Sequence, residues 1–253
     1  HVEGNLNPIR DIEIIETELL IRDIASVEKR MEKLQKTARI VDNKSKDELA
    51  VLEIIFPQMN DGTLVHDIAL EPNQKKLIRQ RNLLTNKPVL YIANVDEAEI
   101  TAETRSTAMQ TLFDFAEKKQ NAAIRLCGKL EAEIVTLPED EKSLFLEEYN
   151  LPEPGLDKLI HASYQLLNLE TFFTGNDKQV RAWTISKAAT ATRAAREIHT
   201  DMERGFIKAE IYSYEDLMQY KYESALKDAG KIRQEGKNYI VKDGDIIFFK
   251  FNV

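Results

Sequence analysis

The sequence predicts an α/β protein in which a helical hairpin precedes a parallel strand pair and a smaller α+β domain closes the chain. Three observations carry this. Apolar residues repeat at heptad spacing between Leu20 and Met59, two short apolar runs flank an amphipathic helix in mid-chain, and the character changes to alternating strands after residue 169.

The helical part comes first. Residues 1–10 read as extended or turn-like, because Gly4, Asn5, Asn7 and Pro8 are breakers. Leu20, Ile24, Val27, Met31, Leu34, Ala38 and Val41 then alternate spacings of four and three. Asp42-Asn43-Lys44-Ser45 interrupts the seam, which resumes as Leu49, Leu52, Phe56 and Met59. Two helices with one apolar stripe each, joined by a short polar link, are expected to fold back as an antiparallel coiled-coil hairpin. Pro57 and Asp61-Gly62 are expected to end it. A basic helix over 72–85 follows, with Lys75, Lys76, Arg79 and Arg81, either a solvated face or an anion-binding one.

Pro88-Val89-Leu90-Tyr91-Ile92-Ala93 is short, apolar and bounded, as a strand buried on both faces must be. A helix at about 102–120 leads to a second such run, Ala122 to Cys127, so the two strands are expected to be parallel. Helices are expected at about 139–149 and 154–168. Beyond them, Phe172-Phe173, Val180–Ile185 and Phe206–Ile211 read as strands and Ala188–His199 as a helix. Tyr239–Val241 and Ile246–Phe251 are expected to form a terminal hairpin about Asp243-Gly244.

Composition narrows the function. With 253 residues, 43% hydrophobic and 31% charged, the chain has the makings of a folded protein with several modules. No apolar run nears the roughly 20 residues that span a bilayer, so no membrane partner is expected. The lone Cys127 excludes an internal disulfide and fits a reducing cytoplasm. The net charge of −8 is uneven: from Thr171 onward 14 Lys/Arg face 12 Asp/Glu, leaving 21 against 31 before it. An acidic body argues against wrapping duplex DNA and leaves local RNA contact open.

The chemistry concentrates after the first strand. Asn94-Val95-Asp96-Glu97 has the place and form of a base-reading Asn-x-x-acid motif. Yet no Gly-x-x-x-x-Gly-Lys-Ser/Thr occurs: Lys36-Thr37, Lys44-Ser45 and Lys142-Ser143 all lack the glycines that aim N–H groups at phosphate. An Asp at the fourth position would accept from guanine N1–H and the N2 amino group. Adenine offers an acceptor at N1 and a donor at N6, and Glu97 is one methylene too long for the guanine geometry. Leu126-Cys127-Gly128-Lys129 stands where a second base-side loop belongs, with Gly128 permitting close backbone approach and the Lys129 stem able to cover a base. The four histidines show no metal-ligand spacing; His199 is expected to cap or pack.

A resemblance ties these pieces together. Val180-Arg181-Ala182-Trp183-Thr184-Ile185, Ile198-His199-Thr200-Asp201, Glu203 to Glu210, Gly236 to Asp245 and the ending Phe251-Asn252-Val253 closely resemble the C-terminal TGS domain of the Obg-like ATPase (YchF-type) family. Pro8 to Glu13 and Asn94–Glu97 resemble it in the same order. The resemblance implies a partial P-loop NTPase parallel sheet with an inserted coiled-coil domain and a β-grasp (TGS) domain. The boundaries it implies are 1–11 and 86–168 for the nucleotide-binding domain, 12–85 for the coiled coil and 169–253 for TGS. It implies ATP in preference to GTP, Mg²⁺ held by ligands in a segment before His1, and ribosome and RNA as partners in a translation- or stress-linked role. The chain is therefore expected to be an N-terminally truncated ATPase, inactive alone; the alternative is a non-catalytic RNA- or ribosome-binding module. Asn94, Val95, Glu97, Cys127 and Gly128 are the expected nucleotide contacts, with Asn94 toward N7 or N6 and the Val95 backbone toward the N6 amino group.

For RNA, the candidates are Arg181, Arg193, Arg196, Lys208 and Lys231, joined by Arg204, Arg233, Lys237 and the aromatics Trp183, Tyr212, Tyr214 and Tyr239. Two stretches depart from the family. Lys129 stands where small residues are usual, and Thr190-Ala191-Thr192-Arg193-Ala194-Ala195-Arg196 replaces Ala-Pro-Gln-Ala-Ala-Gly, adding two arginines.

Overall fold

The computed structural model describes residues 6–37, 43–176 and 179–252. The chain divides into two compact units, residues 1–159 and 160–253.

The first unit opens with helix α1 (Pro8–Thr37) and helix α2 (Asn43–Asn60). The expected turn over residues 1–10 gives way to helix at Pro8. Proline's fixed φ suits a first helical turn, and Asn7 Oδ1 accepts the Arg10 N–H at 3.2 Å as a cap. Leu20, Val27 and Leu34 are buried with Ile24 and Met31 packed beside them, so the seam is real. Ala38, Val41 and Asp42 lie outside the described residues. Asn43-Lys44-Ser45, expected to interrupt, is instead the first turn of α2. On α2 the buried stripe is broader than expected: Val51 and Ile55 join Leu52 and Met59, while Leu49 and Phe56 are only partly covered. Pro57 does not end the helix, which runs on to Asn60; the Pro57 carbonyl still accepts the Asp61 N–H at 3.0 Å. Gly62, at φ +90°, makes the exit.

Charged groups fix how these helices meet. Arg30 grips Glu48 through two hydrogen bonds of 2.7 and 2.8 Å, and Arg81 approaches the same carboxylate at 3.1 Å. Arg30 and Glu48 stand at similar distances in sequence from the 38–42 link, as a fold-back requires. The basic helix is shorter than expected: α3 covers Pro72–Arg79, the chain turns at Asn82 (φ +53°), and residues 84–86 form a 3₁₀ turn. That turn is seized by Asp23 of α1. Its buried carboxylate accepts the N–H groups of Leu84 and Thr85 and the Thr85 hydroxyl at 2.9, 2.7 and 2.7 Å. A turn whose donors are satisfied this way has no reason to continue as helix.

Strand β1 (Leu90–Asn94) lies parallel to β2 (Ala122–Leu126), in register from Leu90↔Ala122 to Asn94↔Leu126. The crossover is two helices, not one: α4 (Glu97–Thr101), then α5 (Thr107–Lys118), restarted by Ser106, whose hydroxyl accepts the Met109 N–H. Helices α6 (Gly128–Ile134), α7 (Glu139–Glu148) and α8 (Gly155–Leu166) follow, the last crossing into the second unit. Glu131 of α6 caps α8, accepting the N–H groups of Gly155 and Leu156 at 2.7 and 3.0 Å.

The second unit is a five-stranded sheet in the order β4-β3-β7-β5-β6. Its strands are β3 (Leu169–Asn176), β4 (Gln179–Ser186), β5 (Phe206–Ser213), β6 (Arg233–Glu235) and β7 (Asp245–Phe251). Helix α9 (Ala191–Ile198) buries Ala191, Ala194 and Ala195 completely, and these join Phe172, Ile211, Ile247 and Phe249 in one core. Short helices α10 (Thr200–Arg204), α11 (Tyr214–Tyr220) and α12 (Glu223–Asp228) complete the unit. The expected terminal hairpin is absent. Residues 239–241 bridge toward α9 instead, with Tyr239 O accepting the Ala191 N–H and the Val241 N–H donating to Ala189 O. β7 pairs antiparallel with β5 and parallel with β3, so Ile247 and Phe249 are covered as a central strand demands. The Gly244 turn survives (φ +80°), closed by Asp245, which accepts from the Tyr239 hydroxyl and the Lys242 N–H.

Arg30 holds the Glu48 carboxyl below its ordinary value of 4.5, with burial opposing and Arg81 assisting. A depressed carboxyl stabilises the fold above its unfolded pKa, and that contribution is lost as pH falls through the folded value. Glu48→Gln is expected to cost about 2 kcal/mol at pH 7, with the gap to wild type shrinking below pH 4.5, as measured by denaturant unfolding at several pH values.

Candidate functional site

The candidate site lies at the carboxyl ends of β1 and β2, where two loops leave side by side. Asn94 closes β1. Its Oδ1 accepts the Gly128 N–H at 3.0 Å, across 34 residues of sequence, so the two expected base-side loops are joined by one bond. Gly128 is suited to this approach, because a Cβ there would stand 3.3 Å from Asn94 Oδ1. The Val95 N–H donates to Leu126 O at 2.9 Å, extending the ladder by one step. Asp96 then caps α4, accepting the Glu99 N–H at 2.8 Å, and this fixes the direction in which Glu97 leaves the strand end.

Glu97 Oε1 meets Lys129 Nζ at 2.5 Å. The two loops are thus linked twice, by a neutral hydrogen bond and by an ion pair. The Glu97 carboxylate holds the Lys129 ammonium above its usual pKa. Tyr149 is also pushed up, by desolvation first and by the Glu97 charge second. Cys127 is buried and packs with Ile100, Leu130 and Val95, so its thiol is a wall of the core. Sequence reasoning missed a further support. Arg125, a lone charge within the apolar β2 run, donates to the carbonyls of Glu99 and Ala102 at 3.3 and 3.2 Å and so ties down the end of α4. A charge in such a strand is the signal that could have revealed it.

The five RNA candidates do not form one cluster. Arg181 lies on edge strand β4, and Lys208 on β5, with β3 and β7 between them. Arg193 pairs with Glu197 at 3.4 Å, Arg196 with Glu203 at 3.6 Å and Lys231 with Asp216 at 3.1 Å, while Lys208 donates to Gln234 at 3.0 Å. Trp183 donates to Thr174 and stacks on Phe172; Tyr212 and Tyr239 donate to Glu223 and Asp245; Tyr214 is exposed. His199 caps α10, accepting the Asp201 N–H, as expected. Among the described residues no three His, Cys, Asp or Glu side chains converge on a point that could hold a metal. Among the described residues no such cluster is therefore available to hold Mg²⁺ by side chains alone.

No helix of the described residues is long and apolar enough to cross a membrane. Comparison with solved structures first gives the class, an α/β nucleotide hydrolase. Over 99% of its length the chain matches the YchF GTPase of Schizosaccharomyces pombe at a TM-score of 0.80 and 33% identity, covering 68% of that chain. It is 44% identical over all 253 residues to the "Ribosome-binding ATPase YchF" of Pasteurella multocida and of Escherichia coli O157:H7, and 42% identical to that of Bacillus subtilis, covering 69% of each. Residues 169–252 match the family model YchF-GTPase_C, described as a protein of unknown function (DUF933). The chain belongs to the YchF family.

The Asn94 bond is expected to hold the second loop in place. Asn94→Ala should raise the hydrogen-exchange rate of the Gly128 amide about fivefold and leave amides in β1 unchanged, as read by NMR exchange.

Proposed function

We propose that the chain is the base-reading and ribosome-facing part of an ATPase that prefers ATP to GTP. The observation that carries this reading is the Asn94–Gly128 bond, which makes one surface of two loops at the ends of parallel strands. A purine set against it would meet the Asn94 amide, the carbonyl of Val95, whose N–H is already spent on Leu126, and the backbone at Cys127 and Gly128. The Val95 carbonyl suits the N6 amino group of adenine. Glu97, engaged by Lys129, is not the open bidentate acceptor that guanine requires. The names of the relatives, ribosome-binding ATPase, support both ATP as substrate and the ribosome as partner.

The domain reading follows the same family pattern. Residues 12–85 form the inserted coiled-coil domain, 86–168 the later part of the nucleotide-binding domain and 169–253 a β-grasp TGS domain. Contact with ribosomal RNA is assigned to that last domain, first to Arg193 and Arg196. They lie three apart on α9, on one side of the helix, and are about half exposed. Hydrolysis in such a protein depends on holding the triphosphate and Mg²⁺. The 253 residues contain no Gly-rich loop ending in Lys-Ser/Thr, so these residues by themselves are expected to bind the base side without turning ATP over.

The test is equilibrium binding of ATP and GTP. ATP is expected to bind at least tenfold more tightly, and Asn94→Ala should weaken ATP about tenfold. Equal affinity for the two nucleotides, or an Asn94→Ala variant that binds ATP normally, would overturn the reading.

A further inference from the structure

The Lys129 ammonium is not among the base contacts assigned to Asn94, Val95, Cys127 and Gly128, yet it is the group that Glu97 holds. The ammonium lies 2.5 Å from Glu97 Oε1, and its side chain is 72% exposed. A long exposed lysine is ordinarily free to sample many rotamers; this one is restrained by a carboxylate one loop away. Glu97 is itself oriented, since it begins α4 directly after the Asp96 cap. The pair thus places a positive donor beside the surface formed by Asn94, Val95 and Gly128.

We infer that Lys129 is a specificity-determining residue: held by Glu97, its ammonium donates to N1 of adenine and rejects the N1–H of guanine. This rests on the base-reading assignment above and deepens it. The chemistry is a reversal of sign. An acid standing alone at the fourth motif position accepts hydrogen bonds and selects guanine. An acid that anchors an ammonium presents a donor instead, because a lysine has three N–H groups and the carboxylate occupies only part of them. Adenine N1 is an acceptor and complements that donor. Guanine N1–H would face it donor to donor, an arrangement in which no hydrogen bond forms. The extra methylene of Glu97, too long for the guanine geometry, lets its carboxylate reach across to the second loop.

The competing role for Lys129 is apolar: its methylene stem could cover the base while the ammonium stays in water. Lys129→Met separates the two, since it keeps a stem of similar length and removes the charge. The side chain is exposed, so the substitution is expected to leave the fold intact, and a thermal melt checks it. Binding is measured for ATP, GTP and 1-deaza-ATP, in which a C–H replaces N1. Wild type is expected to bind 1-deaza-ATP about tenfold more weakly than ATP, whereas Lys129→Met should not distinguish them. The variant should also lose about tenfold of the preference for ATP over GTP. If Lys129→Met still separates ATP from 1-deaza-ATP as wild type does, or if only Lys129→Ala weakens binding, the donor role is wrong and the stem is what matters. If wild type shows no preference for ATP over GTP, the base-reading assignment itself fails and this inference falls with it.

Discussion

A single hydrogen bond, from the Gly128 N–H to Asn94 Oδ1, joins the two loops on which the proposed site depends. Two parallel strands end together by register alone, with Asn94 opposite Leu126, but the loops beyond them have no such obligation. The Asn94 amide supplies it. Once the loops are joined, the remaining geometry follows in short steps: the Val95 N–H extends the ladder, Asp96 caps α4, and Glu97 is turned toward Lys129. The first two of these steps satisfy a backbone donor that would otherwise be left open at a strand end or helix start, and the third pairs two side-chain charges.

The same economy governs the helical part. Asp23 is buried, but three donors around the 84–86 turn surround its carboxylate, so the charge specifies which turn docks on α1. Thr85 in turn accepts the His66 Nδ1–H on its carbonyl at 2.6 Å, which sets the tautomer of that ring. α1 also reaches the strand pair: Tyr91 donates to Glu16 at 3.1 Å, and burial with that neighbouring charge pushes the phenol up to about 12. Lys119 at the end of α5 meets Asp67 at 3.0 Å. The helices are therefore keyed to the parallel strand pair and α5 by polar contacts and not by apolar area alone.

Much of this was legible in the sequence, and the failures have physical causes. The heptad seam could be read because burial imposes a period, and Leu20, Val27 and Leu34 obey it. The parallel pair could be read from two apolar runs, but it is not covered on both faces as expected, since only Tyr91 and Ile124 are buried and Ile92 is exposed. The joining of the two loops was implied by Asn94 and Gly128 lying just past apolar runs. What could not be read is tertiary. Pro57 looks like a stop, but a proline late in a helix costs one bond and α2 has Val51, Leu52 and Ile55 to hold it. Asp243-Gly244 looks like a hairpin turn, and it is a turn; pairing of β7 with β3 and β5 overrode the local partner. Arg81 reads as a solvated charge until Glu48 is seen 3.1 Å away. The Glu97–Lys129 pair is likewise invisible, since nothing in either residue's neighbourhood points 32 positions along the chain.

The most direct measurement of the account is NMR chemical-shift mapping with a non-hydrolysable ATP analogue. It predicts shifts concentrated at the amides of Asn94, Val95, Gly128 and Lys129, with β7 and α9 unmoved. Shifts that cluster elsewhere, leaving those four amides in place, would contradict the claim that the clasped strand ends receive the purine.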